Sequence, residues 1–190
     1  MIRFFDIFFS FLGILILSPF YIILSVIGYF DTGSPFFLQK RMGKNKSFFT
    51  LFKFRSMHLS TESLPTHLLQ TSSVTRWGAF IRRSKLDELP QLVNIFLGQM
   101  SFVGPRPNLP NQDDLIHQRS VRGVYQVRPG ITGLAQIQKV DMSTPALLAE
   151  IDAQMIAQMG VLLYFKCILL TLTGNGFGDR LKNEQARTPN

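Results

Sequence analysis

From Phe4 to Phe30 the chain carries one charge, Asp6, in an otherwise apolar run, and this segment limits every fold the rest can adopt. A straight helix over it would be about 40 Å long, enough to cross a hydrocarbon core of about 30 Å. Pro19, preceded by Ser18, lies near its middle. Proline removes one intrahelical hydrogen bond and clashes with the preceding turn, so a kink is expected, with the Ser18 hydroxyl able to satisfy a freed carbonyl. Each half is roughly 20 Å long and cannot span alone. Two arrangements therefore stand open: a spanning anchor, which the length favours, and a bent helix that dips into one leaflet. A cleavable signal peptide is not expected, because the run exceeds an h-region and no small-residue cleavage pattern follows. Arg3 precedes the run, all other lysines and arginines follow it, and the net charge is +8. By the positive-inside rule the remainder is expected in the cytoplasm, drawn to anionic lipid.

Residues 33–190 are expected to form one domain behind the membrane segment at 1–32. Cys167 is the single cysteine, so no intramolecular disulfide can form, as suits a reducing compartment. Pro35–Arg41 and Ser47–Arg55 read as two strands around the turn Gly43-Lys44-Asn45-Lys46. Residues 58–75 are polar and aperiodic, which predicts a mobile surface loop. Arg76–Arg83 reads as helical or irregular. Pro105-Arg106-Pro107, with Pro110, forms a stiff loop that restricts the direction of Arg106. Arg128-Pro129-Gly130-Ile131-Thr132-Gly133 is a turn suited to an anion. Pro145–Met159 places Leu148, Ile151, Met155 and Met159 on one helical stripe, and Val161–Leu172, too short to span, is either core or interfacial. The class is α+β, mainly helical, with one small hairpin.

The chemistry concentrates in Ser84-Lys85-Leu86-Asp87-Glu88-Leu89-Pro90-Gln91-Leu92, followed by Gly98 to Pro107. Pro90 fits only the first turn of a helix, which places the helix start at about Asp87 with Asp87 as N-cap. Leu89, Leu92, Val93 and Phe96 would form its buried face, and Gly98 its stop. Both carboxylates would then sit at the positive helix end, ionised, as a nucleophile or a magnesium ligand requires. Acidic residues in this position most often only cap. Here Arg76, Arg82, Arg83, Lys85 and Arg106 supply more cations than two carboxylates can pair, so an additional anionic partner is expected.

Several classes fall away. His58, His67 and His117 are scattered and one cysteine makes no zinc site. No Walker motif, dinucleotide fingerprint or Asp-x-Asp sequence is present. Asp113-Asp114 reads as a solvated loop pair. The alternating aromatic and cationic residues of the hairpin suit a membrane surface better than nucleic acid.

The chain resembles the bacterial sugar transferases, the monotopic phosphoglycosyl transferases, over nearly its whole length. The likeness rests on Arg3 and Asp6, Ser18-Pro19, Phe37-x-Gln39-x-Arg41-x-Gly43, Lys53-Phe54-Arg55-Ser56-Met57, Asp87-Glu88-Leu89-Pro90-Gln91-Leu92, Met100 to Pro107 and Arg128 to Gly133. The resemblance implies transfer of a sugar 1-phosphate from a UDP-sugar to undecaprenyl phosphate, with release of UMP, at the cytoplasmic face of the bacterial inner membrane. It implies Mg2+ held by Asp87 and Glu88, Asp87 as the nucleophile of a covalent phosphosugar intermediate, and Glu88 as its acidic partner. Arg82 corresponds to a phosphate-site arginine, with Arg106, Arg128, Lys53 and Arg55 as further candidates for substrate phosphate. It also implies a re-entrant helix bent at Ser18-Pro19, which reverses the preference for a spanning anchor. Ala79 and Gln138-Lys139 depart from the common pattern, which bears on donor selectivity, and residues 140–170 follow it poorly. An N-acetylated amino sugar is expected over galactose or glucose by analogy with minimal members. The rival readings are an inverting glycosyltransferase that would leave UDP, and a non-catalytic membrane scaffold.

Overall fold

A computed structural model describes residues 1–61 and 73–173. The first element, α1, runs from Ile2 to Thr32 and continues through Pro19. Proline leaves the Leu15 carbonyl without its usual backbone donor, and the Ser18 hydroxyl donates to it at 2.8 Å, as the sequence suggested. Among the described helices α1 alone is long and apolar enough to cross a membrane.

One stripe of α1 is covered by the rest of the protein. Ile2 and Phe5 pack on one apolar cluster, Ile14 and Leu17 on a second, and Tyr21 and Leu24 in a third. Polar bonds fix both ends. Asp6 is buried and accepts from the Ser101 hydroxyl (2.9 Å), the Phe102 amide (3.1 Å) and the Tyr164 hydroxyl (2.9 Å). Arg3 donates to the carbonyls of Ile95 (2.7 Å) and Phe96 (3.0 Å), and Asp31 accepts from the Thr75 hydroxyl at 2.6 Å. The remaining surface of the helix, including Phe8, Phe11, Leu15, Ile16, Ile23 and Phe30, is exposed and apolar.

Gly33 ends α1 in the left-handed conformation (φ 75°), where glycine carries no Cβ penalty. Strands β1 (Phe36–Met42) and β2 (Phe48–Phe54) then form the expected antiparallel hairpin, with Phe36 opposite Phe54 and Met42 opposite Phe48. Asn94 binds β2 from the side: its Oδ1 accepts from the Phe52 amide (3.0 Å) and its Nδ2 donates to the Thr50 carbonyl (2.7 Å). The stretch 62–72, most of the loop expected at 58–75, lies outside the described residues, while Met57 and Val74 pair antiparallel beside it.

Arg76–Arg83 resolves as helix α2, capped by the Thr75 hydroxyl, which accepts from the Gly78 amide at 2.8 Å. Gly78 lies so close to β2's exit that an added Cβ would stand 1.9 Å from the Ser56 carbonyl oxygen. Next come α3 (Gln91–Phe96), β3 (Ser101–Val103), α4 (Asp113–Val121), β4 (Gly130–Thr132), α5 (Leu134–Ile137), α6 (Pro145–Ala157) and α7 (Val161–Leu172). β3 and β4 pair in parallel, Ser101 with Gly130 and Val103 with Thr132. Asp113 and Asp114, expected in a loop, open α4 instead; they remain exposed, at the helix end that favours negative charge. Leu148, Ile151 and Met155 of α6 are buried as the stripe predicts. Val161–Leu172 turns out to be both core and surface: Tyr164 and Cys167 are buried, whereas Leu162, Leu169 and Leu172 are exposed.

Arg119 on α4 is almost fully buried and donates through Nε (3.0 Å) and Nη2 (2.7 Å) to Asp152 Oδ2 on α6. Removing one member leaves a buried charge without its partner, which costs about 3–5 kcal/mol. Asp152→Ala should therefore lower the chemical-denaturation midpoint sharply, and Asp113→Ala, on the exposed end of α4, should change stability by less than about 0.5 kcal/mol.

Candidate functional site

The stretch from Lys85 to Gln91 does not begin a helix at Asp87. Lys85 takes a left-handed conformation (φ 57°), and Leu86–Glu88 form a separate tight 3-10 turn. That turn closes with Glu88 N to Lys85 O and Leu89 N to Leu86 O, both 3.2 Å. α3 starts only at Gln91, with Pro90 as its N-cap residue, so Asp87 does not cap it. The buried face also differs from expectation: Leu92, Asn94 and Ile95 point inward while Phe96 is exposed, because Asn94 must reach β2. Gly98 does end the segment, at φ 85°.

This turn brings the two carboxylates into different surroundings. Glu88 accepts from Lys53 Nζ at 3.1 Å and from Arg106 Nη2 at 2.8 Å. Asp87 is buried. Burial pushes its carboxyl up to about 6; Lys53 opposes this, Glu88 adds to it, and Arg82 and Arg106 oppose it. The expectation of a strongly favoured anion at a helix N-terminus is thus corrected: the turn offers no long dipole, and desolvation outweighs the nearby cations.

Arg106 owes its position to the loop predicted to be stiff. Its own carbonyl accepts from buried Arg119 at 2.8 Å, and the next carbonyl along the chain, that of Pro107, accepts from buried Arg41 at 2.8 Å. No local pattern in the sequence shows that Arg119 and Arg41 brace this loop, although Arg41 belongs to the motif Phe37-x-Gln39-x-Arg41-x-Gly43. Lys53 projects from β2, which Asn94 locks to α3, so hairpin and carboxylate turn move as one.

Two further candidates also bond within the protein. Arg128 Nε donates to the Gly98 carbonyl at 2.7 Å. Arg55 donates to the carbonyls of Ser34 (3.2 Å) and Phe36 (3.1 Å) and lies over the Phe37 ring at 5.6 Å. Those bonds tie together the end of α3 and the entry to the hairpin. Ser18 and Pro19 sit in α1. The centre proper is Asp87, Glu88, Lys53, Arg82 and Arg106, with Lys85 beside them.

A cavity of about 450 Å3 opens next to this centre. Lys85, Glu88 and Arg106 line its charged pole, and residues from α1 and α7, among them Phe9, Phe165 and Ile168, form apolar walls. The sequence could not show this cavity, because its walls come from the two ends of the chain. Among the described residues no group of three or more His, Cys, Asp or Glu side chains gathers to form an all-protein metal cage. The two acidic side chains still suit a hard cation that takes one or two carboxylates and completes its shell with water and phosphate oxygens, and a cation beside Asp87 would relieve its desolvation.

The bacterial sugar transferase family profile matches residues 1–175. An undecaprenyl-phosphate glucose phosphotransferase of Komagataeibacter xylinus is 37% identical over 185 residues, covering 90% of this chain and 35% of that protein. The exopolysaccharide production protein PSS of Rhizobium leguminosarum bv. phaseoli is 37% identical over 145 residues, 72% of each chain. A UDP-N-acetylgalactosamine-undecaprenyl-phosphate N-acetylgalactosaminephosphotransferase of Aeromonas hydrophila is 34% identical over 183 residues, 90% of this chain and 43% of that one. The chain thus spans about a third of the first relative and under half of the third. With the match running from the apolar helix through the carboxylate turn to α7, the chain belongs to the bacterial sugar transferase family.

Proposed function

We propose that the protein moves a sugar 1-phosphate from a UDP-sugar to undecaprenyl phosphate and releases UMP, with Asp87 as a covalent carrier. The observation that carries this reading is a buried carboxyl, Asp87, ringed by Lys53, Arg82 and Arg106 beside an apolar cavity. The names of the relatives support the substrate classes. The names divide among glucose, galactose and N-acetylgalactosamine and give the amino sugar no preference.

In the first step an Asp87 carboxylate oxygen attacks the phosphorus next to the sugar. The bond from that phosphorus to the bridging oxygen breaks, and its electron pair leaves with UMP. In the second step an oxygen of the acceptor phosphate attacks the same phosphorus and expels the Asp87 carboxylate, which regenerates the protein. Arg82, Arg106 and Lys53 neutralise phosphate charge that would otherwise repel a carboxylate. Glu88 fixes Lys53 and Arg106 in place and, with Asp87, would hold Mg2+. When bound, the ion would add Lewis-acid charge neutralisation on the diphosphate.

We also infer a monotopic arrangement with both ends of α1 on the cytoplasmic side. Arg3 and Asp6 at one end and Asp31 at the other are bonded to the same globular body, while the outer face of the helix is apolar. A helix crossing a bilayer could not keep both sets of bonds to a body on one side.

Asp87→Asn should keep the fold and abolish transfer, because an amide is a poor nucleophile. Given UDP-sugar alone, wild type should release UMP up to one equivalent, and the peptide containing Asp87 should gain the mass of a sugar phosphate. UDP in place of UMP would point to glycosyl transfer instead, and UMP appearing only with the lipid present would favour direct transfer. Since Asp87 must be ionised to attack, kcat/KM for the donor should be level at neutral pH and fall as pH drops through about 6. Loss of the acid limb in a pH profile would contradict the raised carboxyl. For topology, cysteines in a tag before Met1 and at Lys44 (Lys44→Cys), in a Cys167→Ala background, should both resist an impermeant thiol reagent applied from the outer face. Outside labelling of the tag would overturn the monotopic arrangement.

A further inference from the structure

The cavity beside the carboxylate turn has two kinds of lining. Phe9, Leu92, Phe102, Ile131, Phe165 and Ile168 make its walls apolar, and its one charged pole is Lys85, Glu88 and Arg106. Its volume of about 450 Å3 suits a small-molecule-sized piece of a ligand rather than a whole long chain. The wall supplied by α1 belongs to the helix whose other surface is exposed and apolar, so an apolar tail can pass from lipid to cavity without meeting water.

Lys85 stands out at the pole. It sits at φ 57°, in the left-handed region that L side chains rarely adopt, at the joint between α2 and the 3-10 turn. Glycine would relieve that backbone, yet a long cationic side chain occupies the position and reaches the cavity. Burial draws its amine below the ordinary lysine range, Glu88 raises it and Arg106 lowers it again. Lys85 and Arg106 at this pole, with Lys53 and Arg82 beside the adjoining Asp87, outnumber the carboxylates Asp87 and Glu88, so this end of the cavity suits an anion.

We propose that this cavity receives the first part of the acceptor's tail and that Lys85, with Arg106, binds the acceptor's terminal phosphate in line with Asp87. Its occupant is a single apolar chain ending in a phosphate monoester. Lys85 is then the residue that discriminates the acceptor, distinct from the groups that bind the donor diphosphate. This assignment rests on the transferase reading for the identity of the chain, but not for the existence of the site.

The test separates the two. Full-length protein in nanodiscs is loaded with a polyprenyl monophosphate, and retention is read by native mass spectrometry against the same polyprenyl alcohol and against phosphatidic acid. Wild type should retain the monophosphate over both competitors. Lys85→Met should weaken retention about tenfold or more, the usual effect of losing one charge-assisted hydrogen bond, and Lys85→Arg should keep most of it. Ile168→Trp, which fills the cavity from α7, should weaken it as well. In transfer assays Lys85→Met should raise the acceptor KM about tenfold and leave the donor KM within about twofold. Unchanged monophosphate retention in both Lys85→Met and Ile168→Trp would overturn the site, and equal retention of phosphatidic acid would reduce it to adsorption at a basic lipid surface. A rise of the donor KM in step with the acceptor KM would remove the discriminating role of Lys85. Retained monophosphate with no transfer by wild type would defeat the proposed function and leave the site standing.

Discussion

The carboxylate of Asp6 is the contact on which the arrangement of this protein depends. It lies in the most apolar segment of the chain and is almost completely excluded from solvent. A buried carboxylate is tolerable only when its acceptor capacity is used, and here Ser101, the Phe102 amide and Tyr164 all donate to it, with Arg3 Nη1 4.0 Å away. Those partners belong to β3 and α7. One side chain therefore joins the membrane-seeking helix, the small parallel sheet and the closing helix, and the cavity lies between them. Together with the apolar packing along its covered stripe, that junction makes α1 a wall of the site.

The charged centre shows a similar economy of means. Glu88 is the common acceptor for Lys53 from the hairpin and Arg106 from the proline-braced loop, so three separate parts of the chain meet at one carboxylate. Arg106 is fixed from behind by Arg119, which is in turn neutralised by Asp152. This buried pair contributes little net stability of its own, given the cost of desolvating both ions. Its effect is geometric: it holds the backbone of Arg106 where the side chain can meet Glu88. Asp87, one residue away, has no such set of donors and instead experiences the cost of burial. Two adjacent carboxylates thus differ because one is bonded and the other is desolvated, a division that suits a structural acid beside a reactive one.

Much of this was legible in the sequence because it depends on local rules. The charge-free run, the Ser18-Pro19 pair with its hydroxyl on the Leu15 carbonyl, the hairpin around Gly43 to Lys46, the stripe of α6 and the glycine stop at Gly98 all follow from neighbours a few residues apart. The pairing of Asp87 and Glu88 with nearby cations was also visible, since Arg82, Lys85 and Arg106 lie within one short stretch. The local rules failed at the turn itself. Proline at position 90 suggested a helix from Asp87, but the left-handed Lys85 wound a separate 3-10 turn, a conformation no periodicity reports.

What only the tertiary structure decided is which distant groups meet. Composition cannot tell that Arg128 and Arg55 donate to the carbonyls of Gly98, Ser34 and Phe36, or that Arg119 is buried against Asp152. The cavity is the clearest case, with Phe9 and Ile168 both in its lining although they lie far apart in sequence. The sequence by itself determined the membrane-seeking helix, the hairpin and the chemical types at the centre, because propensity and hydrophobicity act locally. The three-dimensional fold decided the burial of Asp87, the bracing of Arg106 and the apolar cavity, because desolvation and packing depend on neighbours far away along the chain.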